Sequence, residues 1–307
     1  MDIFLQQLIN GLVLGSIYAL VALGYTMVYG ILGLINFAHG EVLMIGALLA
    51  LSVIKALAGL ALHWTLLIFI SLLVSASACI VLAWAIERIA YRPLRNAPRL
   101  APLITAIGVS ILLQNIAMLV WGRSYRAFPP ILPNFEYEIF GAVISAVQLV
   151  IVLTAGLVMC FLRLLVHRTR LGRAMRATAE NPMVAQLMGV NSNQIIALSF
   201  VIGAALAALA GLMVSANYGI AHYNMGFMLG LKAFTAAVLG GIGNLGGAML
   251  GGILLGLIES LGAGYIGELS GGFFGSHYQD VFAFLVLITV LIFRPSGLMG
   301  EKMSERA

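Results

Sequence analysis

The chain has 307 residues, of which 62% are hydrophobic and only 9% are charged. Soluble domains carry roughly a quarter of charged residues, and so few cannot supply the polar surface of a water-soluble fold. The formal net charge is +5. The orientation of the chain in the membrane, described below, accounts for this surplus of basic residues, so no nucleic-acid partner is expected. The composition excludes a soluble protein and indicates a polytopic α-helical membrane protein.

Nine apolar blocks follow one another along the chain, and a membrane-spanning helix needs about 20 such residues. The seventh block is rich in glycine, so it is either a full span or part of a broken, re-entrant helix near 219–245. The sequence therefore predicts an all-α bundle of eight or nine spans, forming a single transmembrane domain over residues 1–307. The blocks are 4–32, 42–61, 64–87, 100–121, 139–162, 195–216, 226–243, 247–266 and 280–293.

The basic residues predict the orientation of the chain. Of the sixteen Lys and Arg residues, twelve fall in three segments that share one side under this span order. By the positive-inside rule that side is cytoplasmic, and it includes the C-terminus. The side of the N-terminus depends on whether the seventh block crosses. The twelve residues are Arg88, Arg92, Arg95 and Arg99; Arg163, Arg168, Arg170, Arg173 and Arg176; and Arg294, Lys302 and Arg306.

Small residues recur every four positions in three of the blocks. Such stripes let helix backbones approach closely, which matters in lipid because hydrophobic force between helices is weak there. They predict tight packing, either within the bundle or against a partner subunit. The stripes are Gly11, Gly15 and Ala19; Gly203, Ala207 and Gly211; and Gly252, Gly256, Ser260 and Gly264.

The loop 163–194 carries signals for a short helix at about 181–189. Asn181 is a good N-cap, Pro182 suits the first turn, and Gly189 suits the position just past the end. An exposed helix with an apolar side either docks against a partner protein or lies on the bilayer surface. That apolar side consists of Met183, Val184, Leu187 and Met188.

Sequence signatures of catalysis are absent from the chain. It has no P-loop, no His-Glu-x-x-His, no metal-spaced Cys/His cluster and no nucleophile elbow. We therefore expect a protein that is not an enzyme, with no catalytic residue, cofactor or metal site.

A few polar residues fall at membrane depth, where a charge costs roughly 2.5–3.5 kcal/mol and should face the bundle interior or a wet cavity. Glu259 is expected either on a transport pathway or in a structural hydrogen bond. Lys232 is expected on a pathway or snorkelling to an interface. Gln114 and Asn115 are candidates for interhelical hydrogen bonds or for the pathway.

Five stretches of the chain carry a family resemblance: Leu23–Gly30, Ile35–Glu41, Glu87–Arg95, the loop 171–190 and Lys232–Gly243. The chain resembles the LivH-type permeases of branched-chain amino acid ABC importers, in register from about residue 5 to 300. Only the loop 122–138 and the tail after Gly300 depart from the pattern. Related permeases with a similar Asn-x-Ala-His-Gly-Glu core handle urea or short amides, but the Ile-Asn-Phe version here favours the amino-acid branch.

The resemblance implies a permease subunit of the bacterial inner membrane, working with a second permease, two cytoplasmic ATPase subunits and a periplasmic binding protein. The helix at 181–189 is then the coupling helix. The coupling residues implied are Glu180, Asn181, Pro182, Met183, Val184, Leu187, Met188 and Gly189. The candidate pathway residues are Asn36, His39, Glu41, Gln114, Asn115, Lys232, Thr235 and Glu259.

Two other function classes compete with the importer permease. One is a self-sufficient secondary transporter or channel that uses Glu259 as a proton or cation site, and it predicts uptake without any ATPase. The other is a non-transporting scaffold or sensor, which predicts no substrate flux. The scarcity of intramembrane acids and the partner-seeking helix at 181–189 favour the importer.

Overall fold

The computed structural model describes residues 2–60, 62–95, 97–98, 100–133, 135–139, 141–269 and 278–300. Three of the basic residues that predict the orientation, Arg99, Lys302 and Arg306, lie outside the described residues, as does the tail after Gly300.

Helices account for most of the described chain. In chain order they are α1 (Asp2–Leu32), α2 (His39–Leu57), α3 (Trp64–Ile86), α4 (Leu100–Trp121), α5 (Ala146–Arg168), α6 (Arg170–Glu180), α7 (Pro182–Leu187), α8 (Ser192–Tyr218), α9 (Met225–Gly240), α10 (Leu245–Leu269) and α11 (Gln279–Phe293). A π-helical turn, Glu87–Tyr91, extends α3, and a 3₁₀ turn, Arg92–Leu94, follows it.

Seven of these helices are long and apolar enough to cross a membrane: α1, α2, α3, α4, α5, α8 and α10. Shorter apolar helices lie at Met225–Gly240 and Ala283–Phe293. The sixteen residues of α9 extend about 24 Å, less than the roughly 30 Å of a hydrocarbon core. The count of eight or nine spans, and the re-entrant character near 219–245, therefore stay predictions.

The described residues also form four short strands, which the all-α prediction did not include. Strands β2 (Glu136–Ile139) and β3 (Ala142–Ser145) form an antiparallel hairpin, with Gly141 at φ +82° in its turn. Gln6 stabilises its edge, because the side-chain amide exchanges two hydrogen bonds with the Val143 backbone at 2.8 and 3.1 Å. Strands β1 (Arg126–Ala127) and β4 (Ile220–Ala221) pair antiparallel.

The hairpin corrects the fifth predicted block. Ile139 ends β2 and residues 142–145 form β3, so the helix begins at Ala146 and not at 139, and it continues to Arg168 instead of ending at 162. Arg163 and the basic last turn, His167 and Arg168, do not stop the helix, because cations near a helix C-terminus interact favourably with its dipole. The loop 163–194 also contains α6, which the sequence analysis did not predict.

The chain divides into two compact units. The first contains Met1–Thr26, Pro133–Phe161 and Lys232–Ala307, and the second contains Met27–Leu132 and Leu162–Leu231. The first unit brings together two of the small-residue stripes. A Cβ atom added to Gly256 would lie 2.4 Å from the Gly15 Cα atom, and one added to Gly252 would lie 2.5 Å from the Ala19 Cα atom. Helices α1 and α10 therefore pack with their backbones almost in contact.

The second unit is built around α2, which packs against α3 and α8. A Cβ atom added to Gly211 of α8 would lie 2.3 Å from the Leu43 carbonyl oxygen, and one added to Gly46 would lie 2.7 Å from the Ala208 Cα atom. The third small-residue stripe thus also serves packing inside the chain. A buried hydrophobic cluster at α2 includes Met44, Leu48, Leu51, Ile54, Ala117, Phe128 and Leu212.

Candidate functional site

In the second unit, a buried carboxyl group lies near the start of α2. Glu41 is 1% exposed, and its Oε1 accepts hydrogen bonds from Gln114 Nε2 at 2.7 Å and from Ser110 Oγ at 3.1 Å. Both donors are on α4, one turn apart. Among the residues that the structure describes, no group bonds the second oxygen, Oε2. Glu41 is therefore held on one oxygen by α4, while the other oxygen makes no protein hydrogen bond.

Two glycines close around this carboxyl group. A Cβ atom on Gly40 would lie 2.3 Å from the Gly226 carbonyl oxygen, and one on Gly226 would lie 2.8 Å from Glu41 Oε2. A side chain at either position would collide with backbone or with the carboxyl group. The first residues of α9 therefore lie directly against the first turn of α2.

The turn before α2 is held by Asn36. Its Oδ1 accepts from the Tyr91 hydroxyl at 2.8 Å and from the Ala38 backbone N–H at 3.1 Å, and the residue is 6% exposed. These bonds make Asn36 a positioning residue that joins the start of α2 to the end of α3. His39 is buried at the first position of α2.

The first unit contains a buried charge cluster, formed by Lys232, Glu259, Asp280 and Tyr18. Lys232 Nζ lies 2.6 Å from Glu259 Oε1 and 2.7 Å from Asp280 Oδ1. Glu259 Oε2 accepts from the Tyr18 hydroxyl at 2.9 Å. The cluster thus links α9, α10, α11 and α1. Thr235, one turn after Lys232 on α9, is also buried.

The structure brings together some predicted residues and separates others. Gln114 joins Glu41, and Lys232 joins Glu259, so the ammonium group does not snorkel to the surface. Asn115 is exposed, and its Nδ2 donates to the Ile111 carbonyl of its own helix at 2.8 Å. Asn115 therefore takes no part in the Glu41 group.

Sequence reasoning missed three members of these groups. Ser110 lies four residues before Gln114, a spacing that places both on one helix face, so it was open to prediction. Asp280 is the acidic residue in the first turn of α11, and a buried lysine calls for a counter-ion. Tyr18 carries no local signal, since its hydroxyl meets Glu259 only through the packing of α1 on α10.

The segment after α6 forms a short capped helix, α7. Asn181 Oδ1 accepts from the backbone N–H groups of Met183 and Val184 at 3.0 and 3.1 Å. Pro182 occupies the first turn, and Gly189 follows the helix at φ +83°, a backbone conformation suited to glycine. Four apolar side chains of this segment are exposed by 75%, 52%, 83% and 80%: Met183, Val184, Leu187 and Met188.

A polar group lies between the end of α3 and the start of α8. Glu87 is buried and forms an ion pair with Arg95, and Arg95 Nη1 donates to Asn193 Oδ1 at 2.5 Å. The pKa of Arg95 is lowered from its usual value, chiefly by burial, while Glu87 acts in the opposite direction. The bond between Arg95 and Asn193 joins the end of α3 to the start of α8.

Seven long apolar helices and polar groups buried inside them define a multi-pass helical membrane protein. Comparison with known proteins narrows this class. Residues 7–291 match the family described as "Branched-chain amino acid transport system / permease component". The chain belongs to this family of membrane permeases.

Individual relatives agree with the family assignment. The chain is 52% identical to the high-affinity branched-chain amino acid transport system permease protein BraD of Pseudomonas aeruginosa, over 99% of this chain and 98% of the relative. It is 47% identical to the permease protein LivH of Escherichia coli K12, over 99% of this chain and 97% of the relative. The probable LivH of Methanocaldococcus jannaschii is 28% identical, over 97% of this chain and 94% of the relative. No solved structure matches the chain significantly.

Proposed function

We propose that this chain is the membrane-spanning permease subunit of an ATP-driven importer of branched-chain or closely related amino acids. It forms one transmembrane domain of eight or nine spans in a bacterial inner membrane, with its C-terminus in the cytoplasm. Relatives with nearly full-length matches are named for branched-chain amino acids, which supports this substrate class over urea or short amides.

The apolar surface of α7 is the observation that carries the proposal. Met183, Leu187 and Met188 are each at least 75% exposed, on a helix whose start is fixed by the Asn181 cap. Exposed apolar side chains that are held rigidly are typical of a docking surface. The chain has no P-loop of its own, so a partner that binds and hydrolyses ATP is the occupant that importer function requires.

In this arrangement, two cytoplasmic ATPase subunits receive the coupling helix of this chain and that of a second permease subunit. Closure of the ATPases pushes on the coupling segment and shifts the bundle between inward-open and outward-open states. A periplasmic binding protein delivers the amino acid. The proposed coupling residues are Glu180, Asn181, Pro182, Met183, Val184, Leu187, Met188 and Gly189.

The buried polar groups are the proposed pathway residues. Glu41 with Gln114, and Lys232 with Glu259, concentrate charge and hydrogen-bonding capacity inside apolar helices. Such groups are expensive in a membrane and mark substrate pathways more often than surface residues do. Asn36, His39 and Thr235, which are also buried, complete the proposed set, whereas Asn115 is left out of it because it is exposed and bonds only to its own helix.

The test is uptake of radiolabelled leucine into proteoliposomes that contain this chain, its second permease and the binding protein, with or without the two ATPase subunits. We expect ATP-dependent uptake only when all subunits are present. Uphill uptake without the ATPase subunits would contradict the proposal.

An experiment with an ionophore distinguishes the proposed ATP-driven importer from a proton-coupled secondary transporter. With ATP held constant, collapse of the proton gradient leaves the uptake rate of an ATP-driven importer unchanged. A proton-coupled transporter stops under the same conditions. Loss of uptake with ATP still present therefore refutes the proposed function.

A further inference from the structure

A cavity of about 270 Å³ lies beside the end of α3, where the π-helical turn Glu87–Tyr91 meets the first turn of α8. Since a water molecule occupies about 30 Å³ of liquid, the cavity has room for a phosphate group with bound waters. Its polar and aromatic lining includes Trp84, Arg88, Arg92, Asn191, Asn193 and Gln194.

The cavity carries two arginines whose charge is not balanced within the described part of the chain. Neither Arg88 nor Arg92 forms an ion pair with any residue that the structure describes. The acidic residue of the lining, Glu87, is 3% exposed and already bound to Arg95. The cavity therefore combines two accessible guanidinium groups with a carboxylate whose charge is already neutralised by Arg95.

The neighbouring amides add hydrogen-bond donors. Asn191 Oδ1 accepts from the Gln194 backbone N–H at 3.2 Å, and Asn193 Oδ1 accepts from Arg95 at 2.5 Å. With their oxygens engaged, these amides have their NH₂ groups left to donate. Guanidinium groups with amide donors match the oxygens of a phosphate, which arginine binds with two parallel hydrogen bonds.

The apolar residues around the cavity indicate which kind of molecule would carry a phosphate group bound there. On α3 and the turn that follows, Val81, Trp84 and Ile89 are exposed by 64%, 44% and 75%. The guanidinium of Arg88 stacks over the Trp84 ring, with 5.2 Å between Cζ and the ring centroid. Tryptophan beside arginine at the end of a long apolar helix is typical of the lipid headgroup level. Basic pockets between helices at this level bind anionic lipids.

We propose that this cavity is a binding site for the phosphate of an anionic phospholipid headgroup, held by Arg88 and Arg92. None of the residues that line this cavity belongs to the proposed coupling residues or to the buried polar groups proposed for the pathway. A lipid bound there contacts both the end of α3 and the start of α8, the two segments that the Arg95–Asn193 hydrogen bond also connects.

The experiment measures lipid retained by the purified full-length chain, using native mass spectrometry during titration with phosphatidylglycerol. We expect the R88Q/R92Q double variant to bind about 25-fold more weakly, because each arginine near an anionic lipid contributes about fivefold. The control is R168Q/R170Q, which removes the same charge from two exposed arginines that do not line the cavity. The control should retain the lipid, and phosphatidylcholine should bind neither protein tightly.

A second arm uses inorganic phosphate to separate the two sources of the same chemistry. Competition by millimolar phosphate, with phosphatidylglycerol still binding in its absence, supports the site. If the chain binds inorganic phosphate but does not bind phosphatidylglycerol, the lipid assignment is overturned. The proposal is overturned if R88Q/R92Q and R168Q/R170Q lose the lipid to the same extent. It is also overturned if R88Q/R92Q retains the lipid and instead loses a subunit that co-purifies with the chain. None of these readouts depends on transport, so failure here is distinguishable from failure of the proposed function.

Discussion

Lys232 and Glu259 form a buried ion pair, with Lys232 Nζ 2.6 Å from Glu259 Oε1. The two side chains are 13% and 3% exposed, and they belong to α9 and α10. Asp280 of α11 makes the second contact of Lys232, at 2.7 Å. Lys232 thus contacts two carboxylates on two other helices. We therefore expect its removal to destabilise the protein more than the removal of either carboxylate.

Replacing Lys232 by Met should destabilise the protein by about 3–5 kcal/mol, because Glu259 is left as a buried charge without its counter-ion. Thermal unfolding of the purified protein, followed by size-exclusion chromatography, measures this. The double variant K232M/E259Q should recover part of the loss. If K232M and K232M/E259Q unfold at the same temperature, the ion pair does not carry the stability assigned to it.

Glu259→Gln should reduce transport while the subunits still assemble. The glutamine amide oxygen keeps a partner for the Tyr18 hydroxyl, but the charge opposite Lys232 is lost. Asp280→Asn is the matched comparison and should have a smaller effect, because the Asp280 side chain is 31% exposed and water screens its charge. Unchanged uptake kinetics in E259Q would leave Glu259 with a purely structural role.

Gln114→Leu should destabilise the protein by about 1–3 kcal/mol, because Glu41 Oε1 is left buried without the shorter of its two hydrogen bonds. Asn115→Leu is the control on the next residue, and it should have little effect since Asn115 is exposed and bonds only to its own helix. Thermal unfolding and leucine uptake are both measured. Equal destabilisation by the two substitutions would contradict the placement of Glu41.

Gly256→Val should prevent stable packing of α1 on α10, since a Cβ atom there would lie 2.4 Å from the Gly15 Cα atom. Overpacking of this kind costs about 1–3 kcal/mol or more. The control is Gly156→Ala on α5, where an added Cβ atom meets nothing within 4 Å, and helix propensity favours alanine there. The yield of monodisperse protein from membranes should fall for G256V only. Normal yield and stability of G256V would rule out the close contact.

Met183→Asp and Leu187→Asp should each uncouple ATP hydrolysis from transport, because a charge replaces an apolar contact in the proposed docking surface. Gln186→Asp places the same charge on the same exposed helix without removing an apolar side chain, and it should transport more nearly normally. Membrane insertion should be intact in all three, as shown by equal amounts in membrane fractions. Normal leucine uptake per ATP hydrolysed in M183D and L187D would remove the coupling-helix assignment.

The residue sequence by itself determined that this protein resides in a membrane, because the excess of apolar over charged residues is a property of contiguous segments. Local signals also determined the caps of α7, since Asn181 and Pro182 act on backbone groups within a few positions. The four-residue spacing of Gly11 and Gly15, and of Gly252 and Gly256, indicated close packing, although it did not identify the partner helix of each stripe.

Only the tertiary structure decided which of two adjacent polar residues, Gln114 and Asn115, joins Glu41, because that depends on the rotation of α4 about its axis. The same holds for Lys232 and Asp280, which lie 48 positions apart in sequence and meet only when α9 packs against α11. The hairpin at 136–145 was also missed, since a hairpin edge is stabilised by a remote residue, Gln6, through bonds to Val143. Contacts between distant segments are set by packing geometry, and no local pattern in the chain encodes them.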